Sequence, residues 1–191
     1  MRLDEVVEFA ENPEPRCPCV LLLDTSASMT GTPIQALNDG LEIFKDNLIT
    51  DELAKKRVEV AIISFDNQVK IVQDFITADQ FENPILTAQG QTYMGTAIHK
   101  ALDMIATRKS EYRNNGITYY RPWVFLVTDG EPQGESEKVI KEAGDRIMLF
   151  QCSQHTPKTK RNKRSQGKPT TTELVVVVVG PLLLVLVVLV V

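Results

Sequence analysis

The chain has 191 residues, enough for one domain with a sizeable core and an appendage, and its 43% hydrophobic and 24% charged content is ordinary for a globular protein. The net charge of −4 hides an asymmetry, because residues 1–157 hold 15 Lys/Arg against 24 Asp/Glu while residues 158–168 hold six basic residues and no acid. The acidic globular part argues against a nucleic-acid partner, and three cysteines, two of them in Cys17-Pro18-Cys19, argue against a disulfide framework or a paired-ligand zinc site.

Residues 1–16 read as a lead-in that carries Pro13 and Pro15. The stretch "MRLDEVVEFAENPEP" is acidic and lacks the apolar centre of a secretory signal, so a cytoplasmic setting with free thiols is expected. Cys19 to Asp24 is a continuous apolar run ending in an aspartate, the pattern of a strand buried on both faces. Thr32-Pro33 then offers a cap and a first-turn proline. Ile34, Leu37, Leu41, Phe44 and Leu48 follow at spacings of three and four, which predicts an amphipathic helix.

"VEVAIISF", Val58 to Phe65, is a second strand. Asp66-Asn67 turns it into "QVKIVQDF", expected as an antiparallel edge strand. Ala97, Ile98, Ala101, Leu102 and Ile105 mark a helix starting near Gly95. "WVFLVTDG" is a third apolar strand ending in an aspartate, with Trp123 assigned to the core. Val139, Ile140, Ala143 and Ile147 form the last helical stripe, and "MLFQCS" is expected as a short strand. Strands alternating with helices predict an α/β fold, a sheet covered by helices on both faces. The domain is expected over residues 17–153.

Residues 154–173 are polar, basic and Thr-rich, the composition of a disordered linker. Leu174 to Val191 carries no charge and is interrupted only by Gly180-Pro181. As a helix those residues would span about 27 Å at about 1.5 Å each, just short of a hydrocarbon core of about 30 Å. The basic run before them would face the cytoplasm. A C-terminal anchor at the inner membrane is therefore an expectation.

Asp24, Ser26 and Ser28 in "LLLDTSASMTG" are spaced two apart, so in an extended segment they point to one side. Ligands of open α/β sheets bind beyond the carboxyl ends of the strands, where Asp24 and Asp129 both fall. Thr92 lies between them in "GQTYMGTAI". All five are hard oxygen donors, with no His or Cys among them. That set suits Mg²⁺, or another hard divalent ion such as Mn²⁺, rather than zinc. Such a small ion takes six oxygens at about 2.1 Å, so five side chains leave room for an outside oxygen. A Ser/Thr cluster after a strand is more commonly turn chemistry, and only the conjunction with Thr92 and Asp129 lifts it above that.

The motifs Asp24-Thr25-Ser26-Ala27-Ser28, Thr92 in "GQTYMGTA" and Asp129 in "TDG" resemble, in order and spacing, a von Willebrand factor A-type domain with a metal-ion-dependent adhesion site. The resemblance implies a Rossmann-like, mostly parallel sheet with one antiparallel edge strand. It also implies that Ser26, Ser28 and Thr92 coordinate the ion directly, that Asp24 and Asp129 act largely through water, and that a partner protein supplies an Asp or Glu carboxylate. "LLLDTSASMTGTPIQALNDGL" and "FLVTDGEP" are most similar to bacterial intracellular members associated with tellurite resistance and stress. The family's last strand–helix units find no counterpart after Ile147, so the fold is expected to be incomplete at its C-terminal end.

Two rival readings remain. A phosphatase of the haloacid dehalogenase type also opens on an apolar strand ending in Asp, but it needs a second carboxylate where this chain has Ser26, and no phosphate-cradling loop is present. The chain is accordingly read as not an enzyme. The other rival is a truncated, non-functional fragment.

Overall fold

The structure is a computed structural model, and it describes residues 12–153, 175–179 and 184–190. Four strands form the part of the sheet that positions the site: β1 (Cys17–Asp24), β2 (Val58–Phe65), β3 (Val69–Thr77) and β4 (Trp123–Thr128). β1 pairs in parallel with β2 on one side and β4 on the other, and β3 pairs antiparallel with β2. The helices are α1 (Thr32–Thr50), the short α2 (Glu52–Arg57), α3 (Met94–Asn114) and α4 (Glu137–Ser153). The expected α/β architecture, mostly parallel with an antiparallel strand β3, is what these elements build.

The run Val20–Leu23 is apolar throughout because successive side chains go to opposite faces and both faces are covered. Val20 and Leu22 join Ala61, Ile63 and Phe65 of β2 against Ala97, Ala101, Leu102 and Ile105 of α3. Leu21 and Leu23 join Val60 and Ile62 against Leu37 and Leu41 of α1, with Ile34, Phe44 and Leu48 packed at the margin. The three-and-four spacing of α1 is thus spent on one face of the sheet. Its start differs from expectation: Gly31, at φ +84°, is the N-cap, and Thr32 and Pro33 are already helical. Asp51 caps α2 by accepting from Leu53 N–H at 2.8 Å and Ala54 N–H at 3.0 Å.

At the end of the sheet opposite Asp24, the fully buried Glu59 gathers cationic partners. Arg108 Nε donates to Glu59 Oε2 at 2.8 Å, and the Tyr112 hydroxyl donates to the same oxygen. Arg16 Nε lies 3.1 Å from Glu59 Oε1, but it is not aligned for a hydrogen bond, so this contact is an ion pair by proximity. Arg16 is itself 1% exposed and bridges to Tyr119. Cys17 is half-buried and Cys19 buried, and both are free.

Three expectations need correction. "MLFQCS" is not a strand: residues 148–153 continue α4. The position beside β4 is taken instead by β6 (Leu184–Val190), antiparallel from Trp123 opposite Val190 to Thr128 opposite Val185. β5 (Val175–Val179) pairs antiparallel with β6, giving the order β3-β2-β1-β4-β6-β5. The described part of the apolar tail is therefore two strands and not a spanning helix. Among the described residues no helix is long and apolar enough to cross a membrane. Lastly, Trp123 is 38% exposed, its ring stacked on Phe125 at 5.8 Å, rather than in the core. The linker expected over 154–173 lies outside the described residues, as do residues 1–11 of the lead-in.

Candidate functional site

Asp24 ends β1, the strand flanked in parallel by β2 and β4, so it opens on the crevice at their carboxyl ends. Its side chain turns the chain there. Ser26 N–H donates to Asp24 Oδ1 at 2.8 Å, an aspartate turn onto the backbone two residues on. Ser26 is still extended, at φ −69° and ψ 166°, but Ala27–Met29 is a 3-10 turn. The convergence of Ser26 and Ser28 expected from a strand thus arises from this turn, which leaves their Oγ atoms 3.0 Å apart.

Asp129 follows the last residue of β4. Ser28 Oγ donates to Asp129 Oδ1 at 2.8 Å, closing the gap between the two strand ends. A second link runs beneath it, where Thr128 Oγ1 donates to Asp24 Oδ2 at 2.5 Å and accepts from Gly130 N–H at 3.2 Å. Both Asp24 oxygens are therefore held by donors, one from each strand end. Sequence reasoning passed over Thr128, although its place before Asp129 is the signal that could have found it.

Thr92 is buried and reaches the site through its backbone. Thr92 N–H donates to Gln133 O at 3.3 Å and Gln133 N–H returns to Thr92 O at 3.1 Å. The segment before it is fastened to the turn after β1, since Gln89 N–H donates to Thr25 O at 2.7 Å and Ala27 N–H donates to Gly90 O at 3.0 Å. The structure thus joins Asp24, Ser26, Ser28 and Asp129 by side-chain hydrogen bonds, directly or through Thr128. It brings Thr92 into the same loop cluster by main-chain pairing.

Burial raises the pKa of the Asp24 carboxyl above its ordinary value, and the nearby Asp129 charge pushes the same way. The Thr128 and Ser26 donors pull it partly back. A buried carboxylate beside a second one is a place where a cation lowers the electrostatic cost. The donor chemistry, hydroxyl and carboxylate oxygen only, fits a hard divalent ion. Among the described residues no three His, Cys, Asp or Glu side chains gather as a metal site. Any centre here rests on hydroxyls as much as on acids. His99 takes no part in it: its Nδ1 lies 3.0 Å from Arg146 Nη1, in a contact between α3 and α4.

A sequence profile of the family described as von Willebrand factor type A domain matches residues 19–176. No curated protein matches the chain. Among solved structures, the von Willebrand factor domain of the type V pili tip protein Mfa5 from Porphyromonas gingivalis is similar at 18% identity and a TM-score of 0.49, over 65% of this chain and 43% of that one. The ArnB paralog VWA2 from Sulfolobus acidocaldarius is similar at 18% identity and a TM-score of 0.45, over 64% of this chain and 30% of that one. Proximal thread matrix protein 1 from the mussel byssus is similar at 14% identity and a TM-score of 0.48, over 73% of this chain and 35% of that one. The chain thus spans less than half the length of each of these structures.

Proposed function

We propose, on the premise that this chain belongs to the von Willebrand factor type A domain family, that it is a non-enzymatic, metal-dependent protein-interaction module. Domains of this family generally mediate protein–protein interactions. In this reading Ser26, Ser28 and Thr92 would hold Mg²⁺ through their hydroxyls, and Asp24 and Asp129 would support it largely through water. The ion supplies a positive charge and an open position for a carboxylate oxygen of a partner protein. The residues do the rest. Neutral hydroxyl ligands leave much of the ion's charge uncompensated, and the buried Asp24 provides an anchoring negative charge from below. The setting we propose is cytoplasmic, in the stress and tellurite-resistance context of the bacterial members that the sequence resembles.

The observation that carries this reading is the Ser28–Asp129 hydrogen bond at 2.8 Å. A serine that donates its proton to the carboxylate keeps its oxygen as an acceptor, one lone pair meeting the Ser26 hydroxyl 3.0 Å away and the other left for a cation. The test is capture of partner proteins on the immobilised full chain in Mg²⁺, followed by elution with a chelator. The expected result is chelator-dependent release of a partner whose capture is lost when its contacting Asp or Glu is changed to Asn or Gln. Equal capture with and without Mg²⁺ would contradict it.

A further inference from the structure

We infer that Glu135 is a positioning residue for the candidate centre, locking the Asp129 loop onto the helix that follows Thr92. This inference rests on the metal reading proposed above. Glu135 lies in the loop between β4 and α4, and its carboxylate reaches the first turn of α3, 40 residues away in sequence. Oε2 accepts from Gly95 N–H at 2.6 Å, and Oε1 accepts from Thr96 N–H at 2.8 Å and from the Thr96 hydroxyl.

These are bonds that α3 otherwise lacks. The first N–H groups of a helix have no partner within it, and a negative charge is favoured there by the helix dipole. Among the described residues, the N-cap Tyr93 gives no side-chain bond and the first turn of α3 holds no acid. The cap is supplied from the metal-site loop instead. The close approach also explains Gly95. A Cβ there would sit 3.1 Å from Glu135 Oε2 and 3.2 Å from Ile140 Cα, so a larger residue would push the loop and α4 away.

An ordinary cap stabilises only its helix. This one works with the paired Thr92–Gln133 backbone bonds, so the loop that begins at Asp129 is fastened at residues 133 and 135 to the segment 92–96. Thr92, which lies just before α3, and Asp129, which follows β4, are thereby held as one unit. Releasing Glu135 frees one oxygen donor relative to the other without removing any ligand.

The test uses the full chain, with Mn²⁺ binding read by electron paramagnetic resonance and Mg²⁺ affinity read from thermal shifts. Glu135→Ala is expected to weaken metal binding by about 10- to 100-fold, the usual effect of losing a group that orients ligands. Glu135→Gln keeps one accepting oxygen and is expected to fall between Ala and wild type. Thr96→Val removes only the hydroxyl arm and should lose affinity in the same direction, to a smaller extent, which keeps the test open if Glu135→Ala fails to fold. Asp51→Ala, which uncaps α2, is the control and should lower the metal-free melting temperature with metal affinity unchanged. Glu135 and Thr96 variants that behave like Asp51→Ala overturn this inference alone. A wild-type chain that binds neither Mn²⁺ nor Mg²⁺ overturns the metal reading, and this one with it.

Discussion

Ser28 Oγ donates to Asp129 Oδ1 across 2.8 Å, joining two residues that lie 101 positions apart in the chain. The bond exists because β1 and β4 are parallel neighbours, so both leave the sheet at the same end. If it prepares the serine oxygen for a cation, Mg²⁺ should stabilise the fold, since only the folded chain brings these residues together. At a metal concentration of about 100 times the dissociation constant the expected gain is ~2.7 kcal/mol. Ser28→Ala should remove that gain, as read by chemical denaturation with and without Mg²⁺.

Asp24 separates two contributions. Its pKa is raised chiefly by burial and in smaller part by the Asp129 charge, so its removal relieves some repulsion in the metal-free protein. Asp24→Ala, however, also strips the acceptor from Ser26 N–H and Thr128 Oγ1. Leaving buried polar groups unpaired costs about 1–3 kcal/mol each, and this outweighs the relieved repulsion. The variant should be less stable than wild type without metal and show no Mg²⁺ response. A metal-free stability equal to or above wild type would mean that the turn does not depend on Asp24.

The buried Glu59 predicts a loss that has nothing to do with metal. Glu59→Ala leaves Arg16 and Arg108 facing an empty buried space, and breaking a buried pair from one side costs about 3–5 kcal/mol. Urea denaturation should show that loss, with Mg²⁺ affinity close to wild type. A loss under about 1 kcal/mol would place the network outside the folded core's needs.

Tyr112 gives the pH dependence of the same network. Burial, then the charge of Glu59 and the hydrogen bond to it, raise the phenol's pKa well above its ordinary 10.0, with Arg108 opposing. The folded state therefore holds this proton more tightly than the unfolded chain. The associated stability is fully present below pH 10.0 and is lost as pH rises above it towards the folded value. Lys109, whose pKa is lowered mainly by burial, titrates towards its ordinary 10.5 with the opposite sign. Comparison with Tyr112→Phe isolates the phenol. The variant should lose stability less steeply than wild type above pH 10.0, and parallel curves would contradict the assignment.

Much of this was legible in the sequence because the local patterns are strong. The apolar runs ending in Asp24 and Phe65 read as buried strands, and the stripe from Ile34 to Leu48 read as a helix on one face. The Ser26 and Ser28 hydroxyls converge as expected, although through a 3-10 turn that alternation alone does not encode. "MLFQCS" departs from the expected strand because six apolar-rich residues carry no period of their own, and the helix before them simply continues. The tail departs from the expected helix for a related reason. A uniform Val/Leu run fits either helix or strand, and its β-branched content favours the strands observed. Glu135 left no local signal at all, since a cap delivered across 40 residues exists only once the fold does.

The central claim is that the side chains of Asp24, Ser26, Ser28, Thr92 and Asp129 form one ion site, and neighbours at Ser26 test it most directly. Thr25 and Ser26 are adjacent and both buried, at 4% and 1% exposure. The backbone of Thr25 bonds to Phe65 and Gln89, whereas Ser26 Oγ faces Ser28 Oγ. The measurement is the Mn²⁺ electron paramagnetic resonance titration of the wild-type, Thr25→Ala and Ser26→Ala chains. One bound Mn²⁺ in wild type, retained in Thr25→Ala and lost in Ser26→Ala, is the predicted result. Equal Mn²⁺ binding by the two variants, or none by the wild type, would contradict it.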